Sequence, residues 1–253
     1  MSAKLPPETL HEEAYTVRTY EIDHQKRMTI PALVRLMQEA AMQHVLQLKL
    51  SVWDLETERV AWVLMRLQLE VKRLPRLEET ITIRTCPTGL ERILTYRNFW
   101  IYDAEGTLIA EAVTHWVLMD TQTRRLKAIP EWIETRFSQL IPETHDGLQP
   151  SRHKLPPLSQ HDRQKSFHVR WHDLDFNLHL NNTYYILYLL EGLPASWLSD
   201  RTLIRLDIAY KSEVRMEESF EVQMQQLSSG QFLHRMTQGA EERVLAEMVS
   251  EWK

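Results

Sequence analysis

Apolar and polar residues alternate along several short stretches of the chain, the pattern of β-strands that bury one face. These stretches are residues 78–85, 93–102 and 108–118, then 219–226, 231–237 and 244–252. Short strands are also predicted at 15–20 and 167–171, and each leads through a polar loop into a predicted helix, at about 30–48 and 182–198. One helix with several antiparallel strands, twice over, predicts an α+β fold in which each helix lies on a sheet. The second helix is apolar on almost every side, which indicates that other elements wrap it.

The two sets of elements have related sequences. RTYEIDHQKRMTIPALVRLMQEAA aligns without a gap with RWHDLDFNLHLNNTYYILYLLEG, RLQLEVKRLPRLEETITI matches RLDIAYKSEVRMEESFEV, and LIAEAVTHWV matches VLAEMVSEWK. These blocks begin at Arg18 and Arg170, at Arg66 and Arg205, and at Leu108 and Val244. Three matches in the same order indicate a duplicated domain.

A proline-rich stretch separates the two copies, with prolines at 130, 142, 150, 156 and 157. Such a composition is typical of a linker, which we place at residues 130–165 and in which residues 131–140 predict a short helix. The first domain is then residues 1–129 and the second is residues 166–253.

The candidate chemistry lies in FHVRWHDLDFNLHLNNTYYILYLLEGLP, where polar residues at two-residue spacing precede an apolar run. If this loop is extended, Asp175, Asn177 and His179 point to one side. Asn181 or Asn182 would cap the following helix, whose free N–H groups favour developing negative charge. An acid, an amide and an imidazole beside such a helix can activate a water and stabilise an oxyanion.

A structural alternative is that the Asp and Asn residues simply form a capped turn. The first copy keeps Asp23, but Gln25 and Arg27 stand where the second copy has Asn177 and His179. This difference is expected of a site that is retained in one copy and lost in the other.

Composition narrows the class of protein. The 253 residues carry a net charge of −5, which argues against bulk nucleic-acid binding. One cysteine, Cys86, rules out an intrachain disulfide. The first fifteen residues lack the apolar core of a secretory signal, and no apolar run approaches the length of a membrane span. A cytoplasmic protein is therefore expected. The histidines show no spacing typical of metal ligands, so no metal or other cofactor is predicted.

The run D-x-N-x-H-x-N-N-x-x-Y, from Asp175 to Tyr185, resembles that of the acyl-ACP thioesterases, plant and bacterial enzymes built from two fused hot-dog domains. VAWVLMRLQLEV, HWVLMDTQTRRLKAIP and QEAAMQH resemble that family's first domain. The resemblance implies a tandem double hot-dog fold. It also implies hydrolysis of the thioester between a fatty acyl chain and the phosphopantetheine arm of acyl carrier protein (ACP), which would be the partner.

Site residues follow from the same resemblance. Asp175, Asn177 and His179 match the family's catalytic residues, and YKSEV places a further acid at Glu213. Val214 stands where the plant pattern has a cysteine once proposed as the nucleophile, which favours water instead. Asp175 or Glu213 would polarise that water, directly or through His179, although direct attack by a carboxylate stays open.

The acyl chain would lie in the first copy, according to the same resemblance. Candidates for its pocket are Met37, Met42, Trp53, Trp62 and Met65, although such residues are also common in plain core. Two alternative functions are an acyl-CoA thioesterase and a non-catalytic acyl- or ACP-binding protein. The sequence is compatible with a monomer or a homodimer.

Overall fold

The computed structural model describes residues 9–253. Residues 1–8, which belong to the predicted first domain and to the N-terminal stretch without a secretory-signal pattern, lie outside them. The strands are β1 (His11–Thr16), β2 (Val60–Val71), β3 (Thr80–Glu91), β4 (Leu94–Tyr102), β5 (Leu108–Asp120), β6 (Leu126–Lys127), β7 (Arg163–His168), β8 (Leu203–Tyr210), β9 (Ser219–Ser228), β10 (Gln231–Gln238) and β11 (Arg243–Trp252). The helices are α1 (Ile30–Gln47), α2 (Glu131–Leu140), α3 (Asn182–Leu190) and α4 (Ala195–Asp200).

The chain forms two compact units. The first contains most of residues 9–151, and the second contains residues 152–253 together with 30–32 and 68–71. In the first unit the strands follow the order β1-β3-β4-β5-β2, and β6 pairs with β5. Helix α1 belongs largely to this unit, and its His44 side chain contacts β4 at Arg97. Buried Phe99 and Ile101 on β4 contribute to the core.

The second unit repeats this plan. Its strands follow the order β8-β11-β10-β9-β7, and the β8-β11, β11-β10, β10-β9 and β9-β7 pairs are antiparallel. Helix α3 lies on the sheet, where Tyr185 meets Tyr210 of β8 at 5.5 Å between ring centroids and Tyr188 meets Phe220 of β9 at 5.1 Å. No residue of α3 is exposed, so the wrapping predicted for this helix is confirmed. The α+β architecture with a helix against an antiparallel sheet is confirmed as well.

Several predicted boundaries were wrong. The first strand of each copy lies closer to the N-terminus than predicted, at His11–Thr16 and Arg163–His168, because a single 3-10 turn forms shortly after each strand. The predicted helix 182–198 is broken into α3 and α4, since Pro194 has no N–H to continue the first helix. Strands β2 and β8 had not been predicted as strands.

The predicted short helix at the start of the linker is confirmed as α2. It packs into the core of the first unit through one apolar face. The residues of this cluster are Leu48, Leu50, Leu55, Val60, Leu118, Ile129, Ile133, Phe137 and Leu140. Residues 131–140, which the sequence predicts as the start of the linker, are thus packed against the first unit.

Candidate active site

A buried carboxylate fixes the start of the polar loop in the second unit. Asp173 is only 1% exposed and accepts hydrogen bonds from Arg170 Nη2 at 3.0 Å and from the Tyr188 hydroxyl at 2.6 Å. Burial works to raise the pKa of Asp173, but the hydrogen bonds from Arg170 and Tyr188 outweigh it and hold the pKa below its ordinary value. Asp173 therefore ties the loop to α3 and has a structural role.

Asp175 organises a tight turn rather than an extended segment. Its Oδ1 accepts the backbone N–H groups of Asn177 at 2.8 Å and of His179 at 3.1 Å. Its own N–H donates to the carbonyl of His179 at 2.8 Å, and Leu178 adopts a left-handed conformation with φ of 62°. The side chains from 175 to 179 therefore do not alternate as in a strand, because the Asp175 carboxylate captures two backbone donors.

His179 and Glu213 come together from distant parts of the chain. His179 Nε2 lies 3.4 Å from Glu213 Oε2, and their side chains are 18% and 38% exposed. Backbone pairing explains the contact, because Leu180 N–H donates to the carbonyl of Val214 at 2.8 Å, next to Glu213. Val214 itself is fully buried. Asn177 is exposed.

Asn181 caps α3, as one of the two predicted cap residues. Its Oδ1 accepts the N–H of Thr183 at 2.9 Å, while its own N–H donates to the carbonyl of Asp173. These N–H groups are consequently occupied and cannot bind an oxyanion. Within residues 9–253 the N–H of Asn182 has no acceptor, so it is the donor available at this helix start.

The first unit has the same loop backbone with different side chains. Asp23 Oδ1 accepts the N–H groups of Gln25 at 2.8 Å and of Arg27 at 3.0 Å, and Lys26 has φ of 61°, like Leu178. The Arg27 guanidinium, however, closes an ion pair of 2.9 Å with Asp23. In the aligned sequences Leu74 stands where the second copy has Glu213.

Two tyrosines that sequence reasoning had not singled out support the site. The Tyr185 hydroxyl donates to the carbonyl of Ser212 at 2.9 Å, and the Tyr210 hydroxyl donates to the carbonyl of Asn182 at 3.2 Å. Burial raises the pKa of both tyrosines, which therefore stay neutral. They fix the start of α3 to the segment that carries Glu213. Tyr185 lies within the quoted motif, but only the fold shows its partner.

The residues predicted to line an acyl pocket have unequal environments. Met37 is buried, while Met42, Trp62 and Met65 are partly buried. Trp62 donates to the carbonyl of Leu50 at 3.1 Å and belongs to the packing around α2. Trp53 is 58% exposed.

The described residues form neither a cluster of metal ligands nor a membrane-spanning helix. Among residues 9–253, no group of three or more His, Cys, Asp or Glu side chains is arranged to hold a metal ion. In the same range, none of the helices has the length and apolarity required to cross a membrane.

Two units, each with antiparallel strands and its own helix, define a double hot-dog protein, and solved structures share this fold. An acyl-ACP thioesterase from Bacteroides thetaiotaomicron superimposes with a TM-score of 0.85 at 21% identity, covering 96% of this chain and 98% of the other. The 12:0-ACP thioesterase from Umbellularia californica gives 0.86 at 21% identity, with coverages of 96% and 97%.

Family comparison agrees over most of the chain. Residues 8–137 match the acyl-ACP thioesterase N-terminal domain, and residues 158–253 match the acyl-ACP thioesterase C-terminal domain. The chain belongs to the acyl-ACP thioesterase family.

Among curated relatives, a chloroplastic palmitoyl-acyl carrier protein thioesterase of Cuphea hookeriana is 28% identical over 217 residues, covering 82% of this chain and 52% of the relative. The chain thus spans about half the length of the first curated relatives it matches.

Proposed function

We propose that the chain hydrolyses fatty acyl-ACP to a free fatty acid and holo-ACP, with water as the nucleophile. The observation that carries this proposal is the pair formed by His179 and Glu213 at 3.4 Å. On the matching backbone, the first unit has Arg27 and Leu74 instead, which cannot exchange protons at neutral pH. The relatives named above act on acyl-ACP according to their names, which supports the choice of substrate.

In the proposed reaction, a water held near His179 and Glu213 attacks the thioester carbonyl carbon. The pair removes a proton from the water, the C–S bond breaks, and the proton is passed to the departing pantetheine sulfur. Side-chain exposure of 18% for His179 and 38% for Glu213 leaves the pair open to water and substrate. Val214 supplies no thiol, so a cysteine nucleophile at this position is impossible.

The other predicted site residues take supporting roles in this proposal. Asn182 N–H at the start of α3 would stabilise the tetrahedral oxyanion, aided by the helix dipole. The exposed Asn177 amide would orient the water or the thioester carbonyl. Asp175 holds the turn that presents both groups, through its bonds to the N–H groups of Asn177 and His179.

The experiment is a panel of acyl-ACPs from octanoyl to oleoyl, with the matching acyl-CoAs, followed by release of free thiol. Turnover of acyl-ACP that depends on chain length, with little turnover of acyl-CoA, is the expected result. Preference for acyl-CoA would identify a CoA thioesterase instead. Acyl binding without thiol release would identify a non-catalytic binding protein and contradict the proposal.

A further inference from the structure

The interior of the first unit contains a cationic side chain that has no acidic partner in the described part of the chain. Arg97 on β4 is 6% exposed, and its Nη1 lies 3.1 Å from His44 Nδ1 and 3.2 Å from Thr85 Oγ1. Among residues 9–253 no carboxylate pairs with it. Burial lowers the pKa of Arg97 to about 10, so the guanidinium remains charged at neutral pH. A buried charge without a counter-ion is costly to a fold.

The second unit shows that the fold does not require this cation. Arg97 of β4 pairs with Thr114 of β5, and Phe232 of β10 pairs with Ser250 of β11 at the equivalent place in the second unit. Strand pairing likewise puts Met224 where the first copy has Thr85, because Thr85 pairs with Phe99 and Met224 pairs with His234 two residues after Arg97 and Phe232. Phe232 and Met224 are both buried. The same architecture therefore forms with apolar side chains at these positions. The polar residues Arg97 and Thr85 are thus not required by the fold and need another explanation.

Arg97 also has hydrogen-bonding capacity left over. A guanidinium has five N–H donors, and the contacts with His44 and Thr85 both use Nη1. Neither Nε nor Nη2 has an acceptor among residues 9–253. The side-chain nitrogens of that range that are fully enclosed and unpartnered are Trp100 Nε1, Trp197 Nε1 and His234 Nδ1, and the two Arg97 nitrogens are not among them. Nε and Nη2 are therefore the donors of Arg97 left for a ligand.

The surroundings indicate which anion would fit. Phe99 and Ile101 follow Arg97 at two-residue spacing on β4, so they share its face of the sheet, and both are buried. The planar guanidinium matches a carboxylate in a two-point hydrogen bond. We propose that the interior of the first unit binds the carboxylate of an aliphatic acid, with Arg97 as its ionic partner and His44 and Thr85 beside it.

Two sources share this chemistry. The carboxylate is either the headgroup of a free fatty acid or the far end of an acyl chain that carries a second, terminal carboxyl group. Binding at Arg97 involves only residues of the first unit, so it does not depend on hydrolysis at His179. Failure of the proposed enzymatic function would leave this proposal standing, and the reverse also holds.

Calorimetric titration of the full chain with dodecanoate and with dodecanol, its uncharged counterpart, tests the proposal. We expect dodecanoate to bind about 10- to 100-fold more tightly, the range of a charge-assisted hydrogen bond. Arg97→Phe, which installs the residue of the second unit, should remove that preference, and Arg97→Lys should keep part of it. Arg84→Gln, which removes an exposed cation on the neighbouring strand, is the control and should leave it intact.

Equal binding of the two ligands by the unmodified protein would overturn the proposal, and this comparison needs no folded variant. Preference for dodecanoate that survives in Arg97→Phe but disappears in His179→Ala would also overturn it, because the carboxylate would then sit at the other unit. To separate the sources, dodecanoyl-ACP and ω-carboxydodecanoyl-ACP are compared in binding. Tighter binding of the ω-carboxy form, lost in Arg97→Phe, identifies the chain end, while equal binding of both identifies the free acid.

Discussion

If His179 and Glu213 act as one proton-transfer unit, removing either should cost as much activity as removing both. Their side-chain atoms are 3.4 Å apart, close enough for a proton or a charge to be shared. General acid–base groups contribute about 10²- to 10⁴-fold to rate, so His179→Ala and Glu213→Gln should each lower kcat by that factor. The double variant should fall to the same residual rate, rather than to the product of two losses.

The assay is thiol release from dodecanoyl-ACP, followed with a thiol-reactive chromophore. The protein's one cysteine does not interfere, since Cys86 is fully buried and burial raises its pKa to about 11. Glu217→Gln is the matched control, because Glu217 is an exposed acid in the same connection between β8 and β9. This control should retain its rate.

Multiplicative losses in the double variant would refute the idea of a single unit and assign separate roles to the two residues. Full activity in Glu213→Gln would show that the acid takes no part in the reaction. Circular dichroism of each variant shows whether a loss of rate reflects chemistry or unfolding.

Three further predictions concern the turn, a buried histidine and a buried acid. Asp175→Ala should lower both the melting temperature and the rate of thiol release, because the turn loses its acceptor for two N–H groups. Asp175→Asn keeps that acceptor and removes only the charge, so comparing the two variants separates the effect of the turn from the effect of the charge. Asp23→Ala, the equivalent change in the first unit, should lower the melting temperature without lowering kcat. Burial lowers the pKa of His234 to about 3, so the unfolded chain takes up a proton that the folded protein rejects. The free energy of unfolding should therefore fall by about 2 kcal/mol between pH 7 and pH 5, measured by urea titration, and a pH-independent result in that window would contradict this. His234→Phe should remove the dependence. Tyr188→Phe deletes the 2.6 Å hydrogen bond to the buried Asp173 carboxylate and should lower the free energy of unfolding by about 1–3 kcal/mol in the same titration. A smaller loss would show that the hydrogen bonds from Arg170 are sufficient for the carboxylate.

The duplicated plan and the starts of both helices were predictable because they depend on local signals. The periodicity of apolar residues predicted α1 from residue 30, and the polar cap at Asn181 predicted α3 from residue 182. The internal repeat then supported each prediction with a second example. The break between α3 and α4 also has a local signal in the sequence, namely Gly192 and Pro194.

The geometry of the site was only partly predictable. The motif placed Asp175, Asn177 and His179 in one loop, but alternation failed because Leu178 takes a left-handed conformation that is rare for leucine. Glu213 lies far away in sequence, so its contact with His179 depends on the pairing of Leu180 with Val214. That pairing is a property of the fold, and only the family resemblance pointed to Glu213 beforehand.

A duplicated chain supplies its own reference for separating structural from chemical roles. Asp175 and Asp23 make the same two backbone bonds in both units, so these bonds are explained by the turn and give no evidence of catalysis. The His179 side chain has no equivalent in the first unit, because Arg27 occupies its place and forms an ion pair with Asp23. Arg97 likewise has Phe232 as its counterpart. Since the backbone is satisfied without these side chains, their presence is best explained by what they bind or react with.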